Sequence, residues 1–175
     1  MIHQISPLDG RYANSIAELS KYFSESTLMR YRLKVEIEYL IAMGKEKGIK
    51  ELLPFSKNEQ SHLRKIYENF NSAGGEKVKE IEATTNHDVK AIEYYIQGKV
   101  KKALHPWIHF ALTSEDVNNL SYSLMWQDGL KQVYLPTLLS LNKELKKLAR
   151  ESKNASMLAL THGQPATPTT FGKEL

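Results

Sequence analysis

Apolar residues recur every three or four positions along most of this chain, a spacing that predicts α-helices. The first stripe contains Leu28, Tyr31 and Val35, and Gly48 is its predicted end. Later stripes follow the same rhythm: Leu63, Ile66 and Phe70; then Val89, Ile92, Tyr95 and Ile96; then Leu120, Leu124, Leu130 and Val133. The pattern therefore predicts an all-α fold, and residues 157–160 are the best candidate for an extended segment.

Local signals predict where several helices begin and end. Ser56 and Glu59 have the spacing of a capping box, in which each side chain binds the other residue's backbone N–H. Gly74 and Gly75 are expected to follow one helix, and Gly98 to follow the next. Pro106 suits the first turn of a short helix.

The longest predicted helix begins near Thr113 and is interrupted at Pro136, because proline removes a helical N–H donor. Beyond it lies the leucine stripe, which consists of Leu138, Leu141, Leu145 and Leu148. Such a stripe is typical of a helix that packs against partner helices. Residues 169–175 resemble the start of another helix, so we expect this chain to be part of a longer protein.

Composition excludes several classes of function. The 175 residues include 24 Lys and Arg against 20 Asp and Glu, and no Cys. A chain without Cys has no disulfides, no thiolate metal site and no Cys nucleophile. The net charge of +4 is weak support for nucleic-acid binding. No apolar run approaches the roughly 18 residues of a membrane span, and the first residues do not resemble a secretory signal, so we expect a cytoplasmic protein.

Four short polar segments combine hydroxyl residues or glycine with charged or imidazole side chains, each at a predicted helix entry. They are residues 9–12 (DGRY), 84–88 (TTNHD), 113–116 (TSED) and 161–164 (THGQ). Helix N-termini bind anions through free N–H groups. If the four segments converge, they form a pocket for a polyanionic metabolite. Each also has a simpler interpretation: Thr85 or Asn86 as a helix cap, Thr113 with Asp116 as a cap, or residues 10–12 as a surface turn.

Histidine is the side chain best suited to proton transfer near neutral pH. His162 lies in a segment rich in Pro and Gly, which predicts a rigid loop ahead of a helix, although a structural histidine remains an alternative. His105 and His109 are four residues apart, but no third ligand accompanies them, so a metal site is not favoured. Neither a phosphate-binding loop nor a dinucleotide fingerprint occurs in the sequence.

Four motifs, taken in order, resemble the adenylosuccinate lyase family of the fumarase/aspartase superfamily. They are residues 6–12 (SPLDGRY), 84–91 (TTNHDVKA), 109–120 (HFALTSEDVNNL) and 161–168 (THGQPATP). The resemblance implies an all-α fold, with an N-terminal helical domain over 1–110 and the start of a long-helix bundle over 111–175. It also implies a cytoplasmic homotetramer that works in purine biosynthesis. That enzyme releases fumarate from adenylosuccinate and from SAICAR, without a metal or cofactor and without nucleic-acid or membrane partners.

The resemblance also assigns roles to residues. His162 matches the general acid, Arg11 and Tyr12 match nucleotide-binding positions, and Thr161 and Gln164 flank the acid. The remaining substrate-binding matches are Asn86, His87, Asp88, Thr113 and Ser114. The family's general base, a serine on a mobile loop, has no counterpart here, so we expect this chain to be inactive alone. Two alternatives stay open: another fumarate-releasing lyase of the superfamily, and a non-catalytic helical oligomerisation module.

Overall fold

The computed structural model describes residues 5–175, which are mostly helical, as the periodicity predicts. The α-helices are α1 (Ala17–Phe23), α2 (Glu25–Met43), α3 (Lys57–Glu68), α4 (Ser72–Thr85), α5 (Asp88–Gln97), α6 (Ser114–Gly129), α7 (Leu135–Glu151) and α8 (Phe171–Glu174). A single antiparallel pair, β1 (Ser156–Thr161) and β2 (Gln164–Thr170), is the sheet of the described part. Within residues 5–175, no helix combines the length and apolarity needed to cross a bilayer.

The chain forms two compact units, Met1–Gly129 and Leu130–Leu175. The domain boundary implied by the resemblance, at residue 110, concerns the complete family fold and stays a prediction.

Helix α2 lies at the centre of the first unit. Leu33, Ile37 and Leu40 on this helix are each at most 1% exposed, and Ile92 and Ile96 of α5 are fully buried against the same core. A helix with apolar side chains around most of its circumference is stable only when other helices pack against most of its sides. A charged side chain that is buried on α2 therefore needs an ion-pair or hydrogen-bond partner inside the protein.

The predicted helix ends are confirmed in two places and wrong in two. The Ser56 capping box starts α3, and Gly98 follows α5 directly. Helix α2, however, ends at Met43 rather than near Gly48, because Gly44 is where the chain must pass Phe55: a Cβ there would lie 3.0 Å from that ring.

Gly74 and Gly75 lie inside α4 and do not end α3. Asn71 caps α4 by accepting the backbone N–H of Gly74 at 3.1 Å. A Cβ on Gly74 would lie 2.9 Å from the Phe70 ring. Close packing against that ring, rather than chain termination, therefore accounts for this glycine.

Two prolines interrupt the helices in different ways. Pro106 is the fifth residue of a 3₁₀-helix, Lys102–Trp107, so its predicted place in a first turn is wrong. Pro136 confirms the predicted interruption: α7 begins at the residue before it, after a π-helical turn over Leu130–Tyr134. Insertions of this kind appear where the regular hydrogen-bond ladder cannot continue.

In the second unit, the leucine stripe lies on the exposed surface of α7. Its four side chains are between 41% and 55% exposed. The far end of α7 is covered by α8: the backbone N–H of Gly172 donates to the Ser152 carbonyl at 3.0 Å, and that of Phe171 donates to the Ala155 carbonyl at 2.9 Å. Residues 157–160 are extended in β1, as predicted.

Candidate functional site

One residue pair separates α4 from α5 and sets the geometry of the segment TTNHD. Asn86 ends α4 in the left-handed conformation, with φ of 51°, and its N–H donates to the Glu82 carbonyl at 2.7 Å. His87 then returns to extended backbone and caps α5, where its ring Nδ1 accepts the N–H of Lys90 at 3.2 Å. The interpretation of Thr85 or Asn86 as the N-cap of the following helix is therefore wrong: Asn86 is the C-cap of α4, and the turn there brings the imidazole of His87 to the start of α5.

The capping role of His87 fixes its tautomer. Because Nδ1 accepts a hydrogen bond, the ring proton of a neutral imidazole lies on Nε2. The His87 side chain is half exposed, so this N–H is available to a ligand. Thr85 holds the backbone in place, since its hydroxyl donates to the His87 carbonyl at 3.1 Å.

Asp88, the first residue of α5, carries a carboxylate that is held on both oxygens. Oδ2 lies 2.6 Å from Nη2 of Arg32, and Oδ1 accepts the N–H of Val89 at 2.9 Å. Partial burial raises the pKa of Asp88, but the charge of Arg32 and the Val89 hydrogen bond outweigh it, so the pKa lies below its ordinary value. The carboxylate therefore stays ionised at neutral pH.

The segment TSED starts α6, and its polar groups satisfy one another. Asp116 accepts the backbone N–H and the hydroxyl of Thr113, at 2.7 and 2.9 Å. In return, the Thr113 hydroxyl accepts the N–H of Asp116 at 3.4 Å. The capping interpretation is confirmed for Thr113 and Asp116, while the half-buried Ser114 at the first helical position adds a hydroxyl at the same helix end.

Arg11 and Tyr12 lie in a series of turns rather than at a helix entry. The N–H of Tyr12 donates to the Pro7 carbonyl at 3.0 Å, and α1 begins only at Ala17. The prediction that residues 9–12 open a helix is therefore wrong. Both side chains are exposed, and the Arg11 guanidinium lies 5.6 Å from the centre of the Tyr12 ring.

The segment THGQ is the turn of the β-hairpin. Thr161 pairs with Gln164, which leaves His162 and Gly163 as a two-residue turn with φ of 52° and 73°. Two central residues with positive φ are the signature of a tight hairpin of type I′. The expected loop ahead of a helix is therefore wrong: β2 separates this turn from α8. All four residues of the turn are exposed, so the imidazole of His162 is accessible to a ligand.

A cluster of buried charges lies between α2, α5 and the segment before α6. The ring Nδ1 of His109 lies 2.6 Å from Oε1 of Glu36, and the backbone N–H of His109 donates to Oε2 at 3.1 Å. Glu93 lies 3.8 Å from the other ring nitrogen and pairs with Lys90 at 2.7 Å. Burial raises the pKa of Glu36, and the His109 hydrogen bonds oppose this shift.

None of the four polar segments contains Glu36, Glu93 or Arg32. The signal available was their position: Arg32 and Glu36 are four residues apart on one face of a helix whose neighbours are apolar. Charged residues are almost never buried without a partner. Such a pair therefore indicates partners elsewhere in the chain, although the sequence does not say which.

The histidine pair considered for a metal has other partners. His105 lies 3.0 Å from the Gln97 carbonyl, and His109 contacts Glu36. In the described range, 5–175, no group of three or more His, Cys, Asp or Glu residues is arranged to hold a metal ion. An apolar cavity of about 390 Å³ lies in the first unit between α3 and the segment after α5, and its lining residues include Phe55, Leu63 and Leu104.

Hydrogen bonds connect the TTNHD segment to α6, the helix that the TSED segment starts. Arg32 contacts Asp88, and its Nε donates to the Asn118 side-chain oxygen at 2.9 Å. Asn118 in turn donates to Glu115 of the TSED segment at 3.1 Å. Tyr12 has local backbone hydrogen bonds within its own turns, and Arg11 lies against the Tyr12 ring. His162 belongs to the second unit.

Comparison with known proteins decides the family. A protein-family model described as "Lyase" matches residues 10–175. The chain belongs to this lyase family. Curated relatives of the lyase chain are named adenylosuccinate lyase. The protein of Legionella pneumophila is 45% identical over 99% of this chain, that of Dictyostelium discoideum 45% over 98%, and that of Escherichia coli 41% over 98%.

The lyase chain spans about two fifths of the length of these relatives, 38–39%. They confirm the resemblance inferred from the four motifs.

Solved structures confirm the fold. A fumarate lyase from Mesorhizobium has a TM-score of 0.73 at 20% identity, over 90% of the lyase chain and 35% of its own. A β-carboxy-cis,cis-muconate cycloisomerase from Acinetobacter calcoaceticus has a TM-score of 0.68 at 16% identity, over 90% and 36%.

Proposed function

We propose that the protein carrying this chain is an adenylosuccinate lyase of purine biosynthesis. It releases fumarate from adenylosuccinate to give AMP, and from SAICAR to give AICAR. The observation that carries the proposal is the 41–45% identity to curated adenylosuccinate lyases over 98–99% of the chain.

The proposed reaction is an elimination. A base removes a proton from the succinyl CH2 group, which is next to the carbon that carries the nitrogen. A C=C bond then forms between these two carbons as the C–N bond breaks, and the departing nitrogen takes up a proton. His162 is the proposed general acid for the last transfer. Its exposed position on a hairpin turn with a fixed backbone supports this role, and acid catalysis of this kind contributes about 10²–10⁴-fold.

Substrate binding is proposed for the other matched residues. The side chain of His87 offers an exposed Nε2–H donor, because its Nδ1 is occupied by the helix cap. Asp88, Thr113 and Ser114 lie at the starts of α5 and α6, where backbone N–H groups favour anions, and Asn86 ends α4 just before α5. The nucleotide and flanking positions are assigned by the resemblance alone: Arg11, Tyr12, Thr161 and Gln164.

The family's mobile serine loop, which supplies the base, has no match in residues 1–175. We therefore expect this chain by itself to be inactive, and the complete active site to need sequence beyond it. The exposed leucine stripe of α7 supports a homo-oligomer, with a tetramer as the expected form, since apolar side chains at helical spacing are typical of a bundle interface. We expect this enzyme to be cytoplasmic.

The test uses the longest natural chain that carries this sequence. Fumarate release is measured with adenylosuccinate, SAICAR and, in parallel, argininosuccinate. Turnover of the first two supports the proposal. Turnover of argininosuccinate alone would indicate another lyase of the superfamily, and an absence of both turnover and nucleotide binding would indicate an oligomerisation module.

The acid assignment has its own control. His162→Gln should lower kcat by about 10²–10⁴-fold. His62→Gln provides the match, because His62 is an exposed histidine on α3, outside all four polar segments. A His162→Gln enzyme with near-normal kcat would remove His162 from the mechanism.

A further inference from the structure

Arg32 is a buried cation on the central helix of the first unit. Its side chain is only 7% exposed, although arginine is among the residues that are almost never fully buried unless paired. Two of its guanidinium nitrogens, Nη2 and Nε, have polar partners. Nη2 lies 2.6 Å from the Asp88 carboxylate, and Nε donates to the Asn118 side-chain oxygen at 2.9 Å.

The two partners belong to different helices. Asp88 is the first residue of α5, and Asn118 lies in the first turns of α6. These are the two helices whose starts carry the proposed substrate-binding residues. A guanidinium group is planar and rigid, so the directions of its two bonds are fixed relative to each other. Arg32 therefore sets the spacing between the two helix starts.

Both ends of this connection are themselves held. The other oxygen of Asp88 accepts the Val89 N–H, which ties the carboxylate to the backbone of α5. The Asn118 amide nitrogen donates to Glu115 at 3.1 Å, which orients the amide so that its oxygen faces Arg32. A movement of either helix start would leave a charged group buried without its partner, which is costly.

We propose that Arg32 is a positioning residue for the substrate site. It joins the start of α5 to α6 and keeps Asn86, His87, Thr113 and Ser114 at the separation that the substrate requires. Arg32 does not contact the substrate. This inference rests on the proposed function, because the positions that it organises are those assigned to substrate binding.

The chain provides a matched control in Arg64. Its Nε and Nη2 donate to the two oxygens of Glu38 at 2.7 and 2.9 Å, and this pair joins α3 to α2, away from the helix starts. Arg32→Gln removes two hydrogen bonds from an arginine on α2 to α5 and α6. Arg64→Gln removes two hydrogen bonds from an arginine on α3 to Glu38 on α2. Only the first should affect the substrate site.

The first measurement is steady-state kinetics with adenylosuccinate, on the longest natural chain. Arg32→Gln should raise KM by about tenfold or more with kcat within about threefold, the pattern of lost binding rather than lost chemistry. Arg64→Gln should leave KM unchanged. Equal KM changes in the two variants, or an unchanged KM in Arg32→Gln, would overturn the proposal.

The second measurement needs no substrate. Hydrogen exchange at the Val89 and Lys90 amides should become about tenfold faster in Arg32→Gln and stay unchanged in Arg64→Gln, because only the first releases the start of α5. Unchanged exchange in Arg32→Gln would overturn the positioning role. If the wild-type protein releases no fumarate, the proposed function fails, while this exchange result still decides whether Arg32 holds the helix start.

A milder variant keeps the inference testable if Arg32→Gln does not fold. Asn118→Ala removes one arm of the connection and leaves the Arg32–Asp88 pair in place. It should raise KM by a smaller factor than the loss of Arg32, with kcat unchanged. A wild-type KM in Asn118→Ala would contradict the link between the two helices.

Discussion

Replacing Glu36 by alanine should destabilise the protein by about 3–5 kcal/mol, the usual cost of breaking a buried charged pair. The Glu36 side chain is 1% exposed, and its carboxylate accepts two hydrogen bonds from His109. A hydrogen bond to a charged group contributes about 1.5–3 kcal/mol. Alanine leaves both donors buried, at a residue whose left-handed backbone, with φ of 61°, is already unfavourable.

The assay is urea unfolding of the wild-type and variant proteins, together with hydrogen exchange at the His109 amide. Glu38→Ala is the control, because Glu38 lies two residues along the same helix and pairs with Arg64 at a partly exposed site. Its loss should cost about 1 kcal/mol or less. The reasoning is refuted if Glu36→Ala stays within about 1 kcal/mol of wild type, or if both variants lose the same stability.

Three further predictions concern stability. Gly172→Ala should cost about 1–3 kcal/mol, measured as a lower unfolding midpoint, because its Cβ would overlap the Ala149 carbonyl; wild-type stability would contradict that packing. Ser121→Ala should be neutral or stabilising in the same assay, since its buried hydroxyl has no partner among residues 5–175, and a loss above about 1 kcal/mol would reveal one. The free energy of unfolding, measured as a function of pH, should depend on Glu36 and Glu38 in opposite directions. Burial raises the Glu36 pKa, so the pH-dependent part of its contribution to stability is fully present below the ordinary pKa and is lost as pH rises through the raised pKa. The Arg64 hydrogen bond lowers the Glu38 pKa, so the pH-dependent part of its contribution is present above the ordinary pKa and is lost as pH falls through the lowered pKa. Gln at each position should remove the corresponding slope, and parallel slopes would contradict the assignment.

Much of the fold could be predicted from the sequence because its signals are local. The α3 cap needs only Ser56 and Glu59, three residues apart, and both hydrogen bonds are present. The interruption at Pro136 follows from one missing N–H. The error at Gly48 has a different origin: the end of α2 is set where Gly44 meets Phe55, a contact that no local pattern contains.

The candidate site was predictable in part. The motifs identify the polar segments, but the backbone at each depends on what surrounds it. His162 has positive φ because a hairpin closes there, although histidine is not among the usual residues of such turns. His87 caps α5 with an imidazole, where Ser, Thr, Asp and Asn are the usual caps. The pairing of Glu36 with His109 joins residues 73 positions apart, so neither helical periodicity nor motif spacing can indicate it.

The central claim is that polar segments far apart in the chain surround one anionic metabolite. A structure of the longest natural chain, determined with AMP and fumarate bound, tests it most directly. The account predicts that His87 and His162, from one subunit or from neighbouring subunits, lie within hydrogen-bonding reach of the same pair of products. Products bound far from both histidines, or histidines in separate cavities, would contradict it.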